Sequence, residues 1–194
     1  MFIRTKIIKG KEYAYKVENI WRKRKKASRQ KVGKYLGRVY TVDKEKDLNF
    51  MHVVKKDLDK YLSETDYYMI IKDLILKELL NHGFVRKKYS KYKYVKDGLM
   101  VDLKYKKVFN DKEKECVLRM NEGFLCNTTM KGLLNFKGEG SEREIGQKLA
   151  NNLVEAGLVV DQDVFLALFD KIGKLNYVTM QEEPEYEEYI EEKE

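Results

Sequence analysis

Proline occurs once in the 194 residues, cysteine and histidine twice each, and glutamine four times. Each scarcity excludes something. Cys116 and Cys126 are too few for a disulfide framework, and with only His52 and His82 beside them they form no close ligand pair for zinc. No run of eighteen apolar residues occurs, so no membrane span is expected. The opening MFIRTKIIKG has no apolar core or small-residue cleavage site of a secretory signal. A reducing, cytoplasmic setting follows. Few Gln and abundant Lys and Glu resemble the charged-residue bias of thermophile proteins. Phosphate-loop, dinucleotide and nucleophile motifs are missing, and Gly138-Glu139-Gly140 is too short and too acidic to cradle phosphate. The sequence therefore predicts a non-catalytic protein without a cofactor or a metal.

What is present is a sharp separation of charge. Residues 1–40 carry fourteen Lys and Arg against two acids, a net +12. The last fourteen residues carry eight Glu against one Lys, a net −7. A local imbalance of this size predicts a polyanion contact at one end of the chain and an acidic tail, residues 181–194, at the other. No acid lies between Glu18 and Asp43, whereas a merely solvated face normally mixes both signs.

The fold class predicted is α+β, with a small three-stranded antiparallel sheet at the N-terminus, a helix plus β-hairpin unit, and a C-terminal helical group. Four regions are expected: a basic β-rich module over 1–42, a mixed region over 43–137, helices over 138–180, and the tail. Phe2–Ile8 reads as the first strand, Gly10-Lys11 as a turn, and Glu12–Ile20 as the second strand, with Tyr13, Tyr15 and Val17 on one face. Trp21–Ser28 is so charged that it reads as a loop. Gln30–Leu36 is the third strand, closed by Gly37. The alternating Tyr and Ile read as the core face of this sheet.

Met51–Tyr61 predicts a short helix. A longer one starts at Thr65 or Asp66, with Tyr67, Ile70, Ile71, Leu74, Ile75, Glu78 and Leu79 along one face, and stops at Gly83. Asp97-Gly98 predicts a two-residue hairpin pairing Lys96 with Leu99, Tyr94 with Val101, Tyr92 with Leu103 and Lys93 with Asp102. Cys116–Met120 is a further strand. Asn127 or Thr128 caps a helix through Phe136. Ser141 and Glu144 form a capping box for a helix ended by Gly157, and Asp161 or Asp163 caps Val164–Ile172. Asp161-x-Asp163 and Asp57-x-Asp59 have carboxylate spacings a hard cation uses, but helix capping explains them better. His82 sits where a helix dipole ends.

The candidate nucleic-acid-binding residues are Arg4, Lys6, Lys11, Tyr13, Tyr15, Trp21, Arg22, Lys23, Arg24, Lys25, Lys26, Arg29, Lys31, Lys34 and Arg38. Lys and Arg neutralise phosphates and release counterions. A small sheet can enter a major groove, and Trp21, Tyr13, Tyr15 and Tyr35 can instead stack on unpaired bases. The second basic run, Arg86 to Tyr94, reads either as an exposed edge strand or as the wing of a winged helix.

Gly10, Lys11, Tyr13, Tyr15, Val17, Glu18, Arg29, Gln30, Lys34, Tyr35, Leu36 and Gly37 follow a GK-x-Y-x-Y, VE, RQ-x-x-x-KYLG pattern. In this pattern residues 2–40 resemble the N-terminal segment of prokaryotic DDE transposases of the insertion-sequence type. The resemblance covers roughly a fifth of the chain, and no segment matches the three-carboxylate catalytic core. It implies a DNA-contacting module, transposase-derived or carried by a mobile element, with DNA favoured over RNA. The competing class is an assembly factor that docks a protein partner, or itself, through residues 145–172, using Phe165, Leu168 and Phe169. A small metal-dependent nuclease is the third class and needs three or more acids converging in a cleft.

Overall fold

A computed structural model describes residues 2–22 and 26–181, with backbone only for Arg22, Ala27 and residues 174–181. Lys23, Arg24 and Lys25 of the basic run and the Glu-rich tail from Glu182 onward lie outside the described residues.

The chain is α+β. Its axis is helix Tyr67–Asn81, in which Tyr67, Ile70, Ile71, Leu74, Ile75, Glu78 and Leu79 are all buried. The Asp66 side chain accepts the Met69 N–H at 2.8 Å and opens this helix. Gly83 closes it at φ 78, a conformation that costs glycine nothing. Before it, the single short helix predicted over Met51–Tyr61 is two. Phe50–Val54 (α1) ends at Lys55, which takes φ 55, and Leu58–Glu64 (α2) starts where Asp57 accepts the Lys60 N–H at 3.0 Å. The axial helix is therefore α3.

Two sheets share the core with α3. The N-terminal sheet has five strands, not the three predicted: β1 (Phe2–Ile8), β2 (Lys11–Arg22) and β3 (Ala27–Thr41) are joined by Cys116–Met120 and Gly123–Leu125. Gly37 does not end β3. The strand runs on to Thr41, and Arg38–Thr41 pair in parallel with Cys116–Arg119. Gly37 sits at φ 131, and a Cβ there would lie 2.5 Å from the Glu115 carbonyl oxygen, so only glycine lets the two chains approach. The second sheet is a meander of β4 (Val85–Arg86), β5 (Lys93–Lys96), β6 (Leu99–Asp102) and β7 (Lys107–Asn110), which makes Cys116–Met120 β8 and Gly123–Leu125 β9. Asp97 and Gly98 take φ 48 and 76, as a type I′ turn requires. The predicted pairs form: Lys96 faces Leu99, Tyr94 faces Val101, and Lys93 meets Asp102 at 3.6 Å. The Leu103 amide donates to the Tyr92 carbonyl at 2.9 Å.

Helices α4 (Asn127–Leu134), α5 (Glu142–Glu155) and α6 (Gln162–Gln181) follow among the described residues. The residue capping α4 is Cys126 rather than Asn127 or Thr128, and the Asn127 side chain instead accepts the Val108 N–H at 2.6 Å. Ser141 and Glu144 form the predicted capping box of α5.

The main core runs from Val42 to Ile172 and gathers α3, both sheets and the C-terminal helices. Leu168 lies fully inside it, while Phe165 and Phe169 pack against it. The residues proposed for docking a partner are thus spent in large part on the core, and Val154, Val159 and Leu166 are the large apolar side chains left exposed among the described part of 145–172. A buried polar knot ties α3 to its surroundings. The Glu78 carboxylate lies 3.3 Å from Lys77 Nζ and accepts from Asn121 Nδ2 at 3.1 Å and from the Val159 N–H at 3.3 Å. Lys77 Nζ also donates to the Val159 carbonyl at 2.9 Å. His82 Nδ1 donates to the Glu78 carbonyl at 2.8 Å, which caps the end of α3.

Candidate nucleic-acid interface

In the segment expected to be a loop, Trp21–Ser28, the described residues Trp21, Arg22, Ala27 and Ser28 are strand and Lys26 is a turn. Beyond the Val17–Val32 pair, β2 and β3 continue as a two-stranded arm through Glu18–Lys31, Asn19–Gln30, Ile20–Arg29, Trp21–Ser28 and Arg22–Ala27. Charge density argues against a strand only when one face must be buried. Here every described side chain from Glu18 to Lys34 is exposed, so the arm meets water on both faces. Five residue steps at about 3.3 Å each make it roughly 17 Å long. It carries Lys26, Arg29 and Lys31, with Lys34 on β3 at its root, and among the described residues no ion pair neutralises any of them. It also holds three apolar side chains in water: Ile20 at 43%, Trp21 at 61% and Val32 at 48% exposure. Ile20 and Val32 were not among the predicted candidates; no spacing in the sequence tells an exposed arm valine from a core one.

At the root of the arm the sheet presents an open aromatic face. Strand pairing sets two rows across β1, β2 and β3: Arg4, Tyr15 and Tyr35 in one, Lys6, Tyr13 and Arg38 in the other. The three phenol rings cluster. Tyr35 lies 5.5 Å from Tyr15 and 6.2 Å from Tyr13, centroid to centroid, both tilted. Lys6 Nζ stands 5.7 Å above the Tyr15 ring and the Arg38 guanidinium 4.8 Å above Tyr40. Arg4 covers Phe2 in the same way at 5.6 Å. Burial among its neighbours, with the Tyr13 and Tyr15 phenols close by, holds the Tyr35 hydroxyl above its ordinary pKa and therefore neutral.

This corrects the expectation that the tyrosines form the core face. Tyr13 and Tyr15 are half-buried and Tyr35 is 51% exposed, while Ile7 is 77% exposed. The residues that sink into the second, smaller core are Ala14, Leu36, Val39, Val117 and Cys126, with Ile3 and Phe124 against them. That covered side faces α4 and α5, where Ile3 and Lys16 share a small cavity with Thr128, Gly132, Asn152 and Glu155.

Both acids of the N-terminal segment are paired with cations, Glu12 on the covered side and Glu18 at the exposed base of the arm. Glu12 holds Arg119, and hydrogen bonds from Thr5 and then Arg119 lower its pKa. Glu18 pairs with Lys16 at 3.9 Å, and Lys16 lines the cavity beneath the sheet. The aromatic face is thereby left to cations. Its limit is a groove beyond Tyr40, where Asp43, Glu45 and Asp97 gather with Arg38 and Lys96. Lys96 is occupied there by Glu45.

The remaining candidates fall as follows. Lys11 is exposed at the start of β2, beside the Lys9-Gly10 turn at φ 49 and 71, one residue earlier than predicted. The backbone of Arg22 pairs with Ala27. In the second basic run, Lys87, Lys88 and Tyr89 are exposed between β4 and β5, whereas Tyr94 is buried. Asp57 is a helix cap, and Asp161 immediately precedes α6. Among the described residues no group of three or more His, Cys, Asp or Glu is placed to hold a metal. Both thiols are buried, which pushes Cys116 up to about 12 and Cys126 upward as well. No helix among the described residues is long and apolar enough to cross a membrane.

Comparison with family models, with curated proteins and with solved structures finds no match to this chain.

Proposed function

We propose that this protein binds nucleic acid without chemical turnover, DNA in preference to RNA, and that the β2–β3 arm is its principal contact. The observation that carries this reading is the arm itself: a ribbon exposed on both faces, bearing Lys26, Arg29 and Lys31 with Lys34 at its root, and with no acid between Glu18 and Asp43. A two-stranded ribbon has the width that a B-DNA major groove, about 12 Å across, admits. Its cations are placed to displace condensed counterions from the phosphates, and Trp21 and Ile20 supply apolar contact of the kind that base methyls and sugars accept. The likeness of residues 2–40 to the opening segment of insertion-sequence transposases supports DNA as the polymer and a mobile-element origin.

The test is direct binding. The chain has one tryptophan, Trp21, and it is 61% exposed on the arm. Its emission is expected to be that of a water-exposed indole and to shift and quench on titration with duplex DNA at low salt. Fluorescence anisotropy of labelled duplex, single-stranded DNA and RNA across a salt series ranks the polymers. No binding of any of them at low ionic strength defeats the proposal.

A further inference from the structure

We infer that the tyrosine cluster at the root of the arm receives an unpaired base, so that the preferred ligand is a duplex ending in a single-stranded extension rather than an uninterrupted duplex. This inference rests on the reading above and adds to it the kind of nucleic acid bound.

The argument starts from what an exposed ring can do. Tyr13, Tyr15 and Tyr35 form a contiguous π surface on the open side of the sheet, and Tyr35 leaves half of its area in water. Inside a duplex both faces of every base are covered by the neighbouring pairs, and a blunt end offers only the outer face of a whole pair. A tyrosine ring standing on a sheet therefore gains its fullest stacking partner from a base that has left the helix. An uninterrupted duplex leaves the cluster unused.

Charge says what lies alongside. Arg4 and Lys6 flank the rings on β1, and Arg38 flanks them on β3, in the same two rows. Neighbouring strands are about 4.8 Å apart, so cations border the rings on both sides at the reach of a sugar-phosphate chain. Glu12 is engaged with Arg119 on the covered side, and Glu18, exposed at the base of the arm, is paired with Lys16 at 3.9 Å.

Position then joins the cluster to the arm. The Tyr15–Tyr35 pair comes immediately before Val17–Val32, where the arm leaves the sheet. A duplex held along the arm meets the tyrosines where the arm joins the sheet. Past them, Asp43, Glu45 and Asp97 present negative charge beyond Tyr40. The extension is consequently short on the protein, one or two bases on the tyrosines, with the rest of the strand free.

The experiment uses the full-length chain and three labelled DNAs: a blunt duplex, the same duplex with a short 3′ extension, and the same with a 5′ extension. At low salt the better of the two extended duplexes is expected to bind roughly 5- to 150-fold tighter than the blunt one, the range one stacked base contributes. Tyr35→Leu should bring the extended and blunt affinities together, and Tyr35→Phe, which keeps the ring, should restore the difference. Equal binding of all three DNAs by the native protein overturns the inference while leaving duplex binding by the arm intact. A preference that survives Tyr35→Leu also overturns it. Failure to bind any of the three defeats the functional reading beneath it as well.

Discussion

Tyr35 and Arg38 are three positions apart on β3, yet both belong to the outward aromatic face. Simple alternation would put them on opposite sides. Between the Ala14–Gly37 and Tyr15–Tyr35 pairs the register slips by one, because β3 carries Leu36 as an extra residue. Leu36 turns into the small core, and Arg38 comes back into line with Tyr13. Gly37 completes this bulge at φ 131 under the Glu115 carbonyl. Gly37→Ala is therefore expected to lower unfolding stability by about 2–4 kcal/mol, combining strain at an unfavourable φ with overpacking. Gly132→Ala, on exposed helix with nothing within 4 Å of the new methyl, should instead add about 0.4–1 kcal/mol. Urea midpoints of both variants check the pair, and a Gly37→Ala protein as stable as the native one refutes the bulge.

If the arm contacts about five phosphates of duplex DNA, log K should fall against log salt with a slope of roughly −4 to −5. Arg29→Ala, Lys31→Ala and Lys34→Ala should each flatten it by about 0.9. An unchanged slope in the triple variant would remove the arm from the interface.

Glu78 is 1% exposed and is the counter-charge of Lys77, itself 6% exposed. Glu78→Ala leaves an uncompensated buried ammonium and should cost about 3–5 kcal/mol. The double variant Lys77→Met, Glu78→Leu should cost well under the sum of the single changes, because it removes both charges and keeps the volume. Denaturant titrations of the native protein, Lys77→Met, Glu78→Leu and the double variant measure the coupling, and additivity of the two changes would falsify the pairing.

Asp73 accepts a hydrogen bond from the Tyr61 hydroxyl at 2.5 Å. Burial raises the Asp73 pKa, only partly offset by that bond and by Lys72. A carboxyl raised in the folded state binds its proton more tightly there than in the unfolded chain. Its contribution to stability is thus fully present below the ordinary carboxylate pKa and is lost as pH rises through the folded value. Asp73→Asn retains an acceptor for Tyr61 and does not titrate. The stability of Asp73→Asn relative to the native protein is expected to increase from pH 4 to pH 7, and a constant difference contradicts the assignment.

Much of the fold was legible because local chemistry decided it. Asp66, Gly83, Ser141 and Glu144 mark helix ends with backbone groups that must be satisfied, and Asp97-Gly98 fixes the β5–β6 register through the only turn it allows. The placement of Glu78 on the apolar face of α3 was also visible in its spacing. The candidate site was legible in composition but not in arrangement. Alternation groups Tyr13 with Tyr15; it does not say which face is covered, and that is decided by α4 and α5 far along the chain. The phase of Leu36 was hidden by the bulge. The pairing of Arg38–Thr41 with Cys116–Arg119 depends on residues too distant for any local pattern.

That pairing also governs how the protein is made. Parallel strands joined through residues 42–115 close a long loop before any ladder bond repays it, which slows folding. During synthesis β1, β2 and β3 leave the ribosome first and wait with the Arg38–Thr41 edge bare until Cys116–Met120 arrives. An open strand edge recruits any extended chain it meets. Refolding yield should consequently fall with protein concentration, and the misassembled species should be linked through β3.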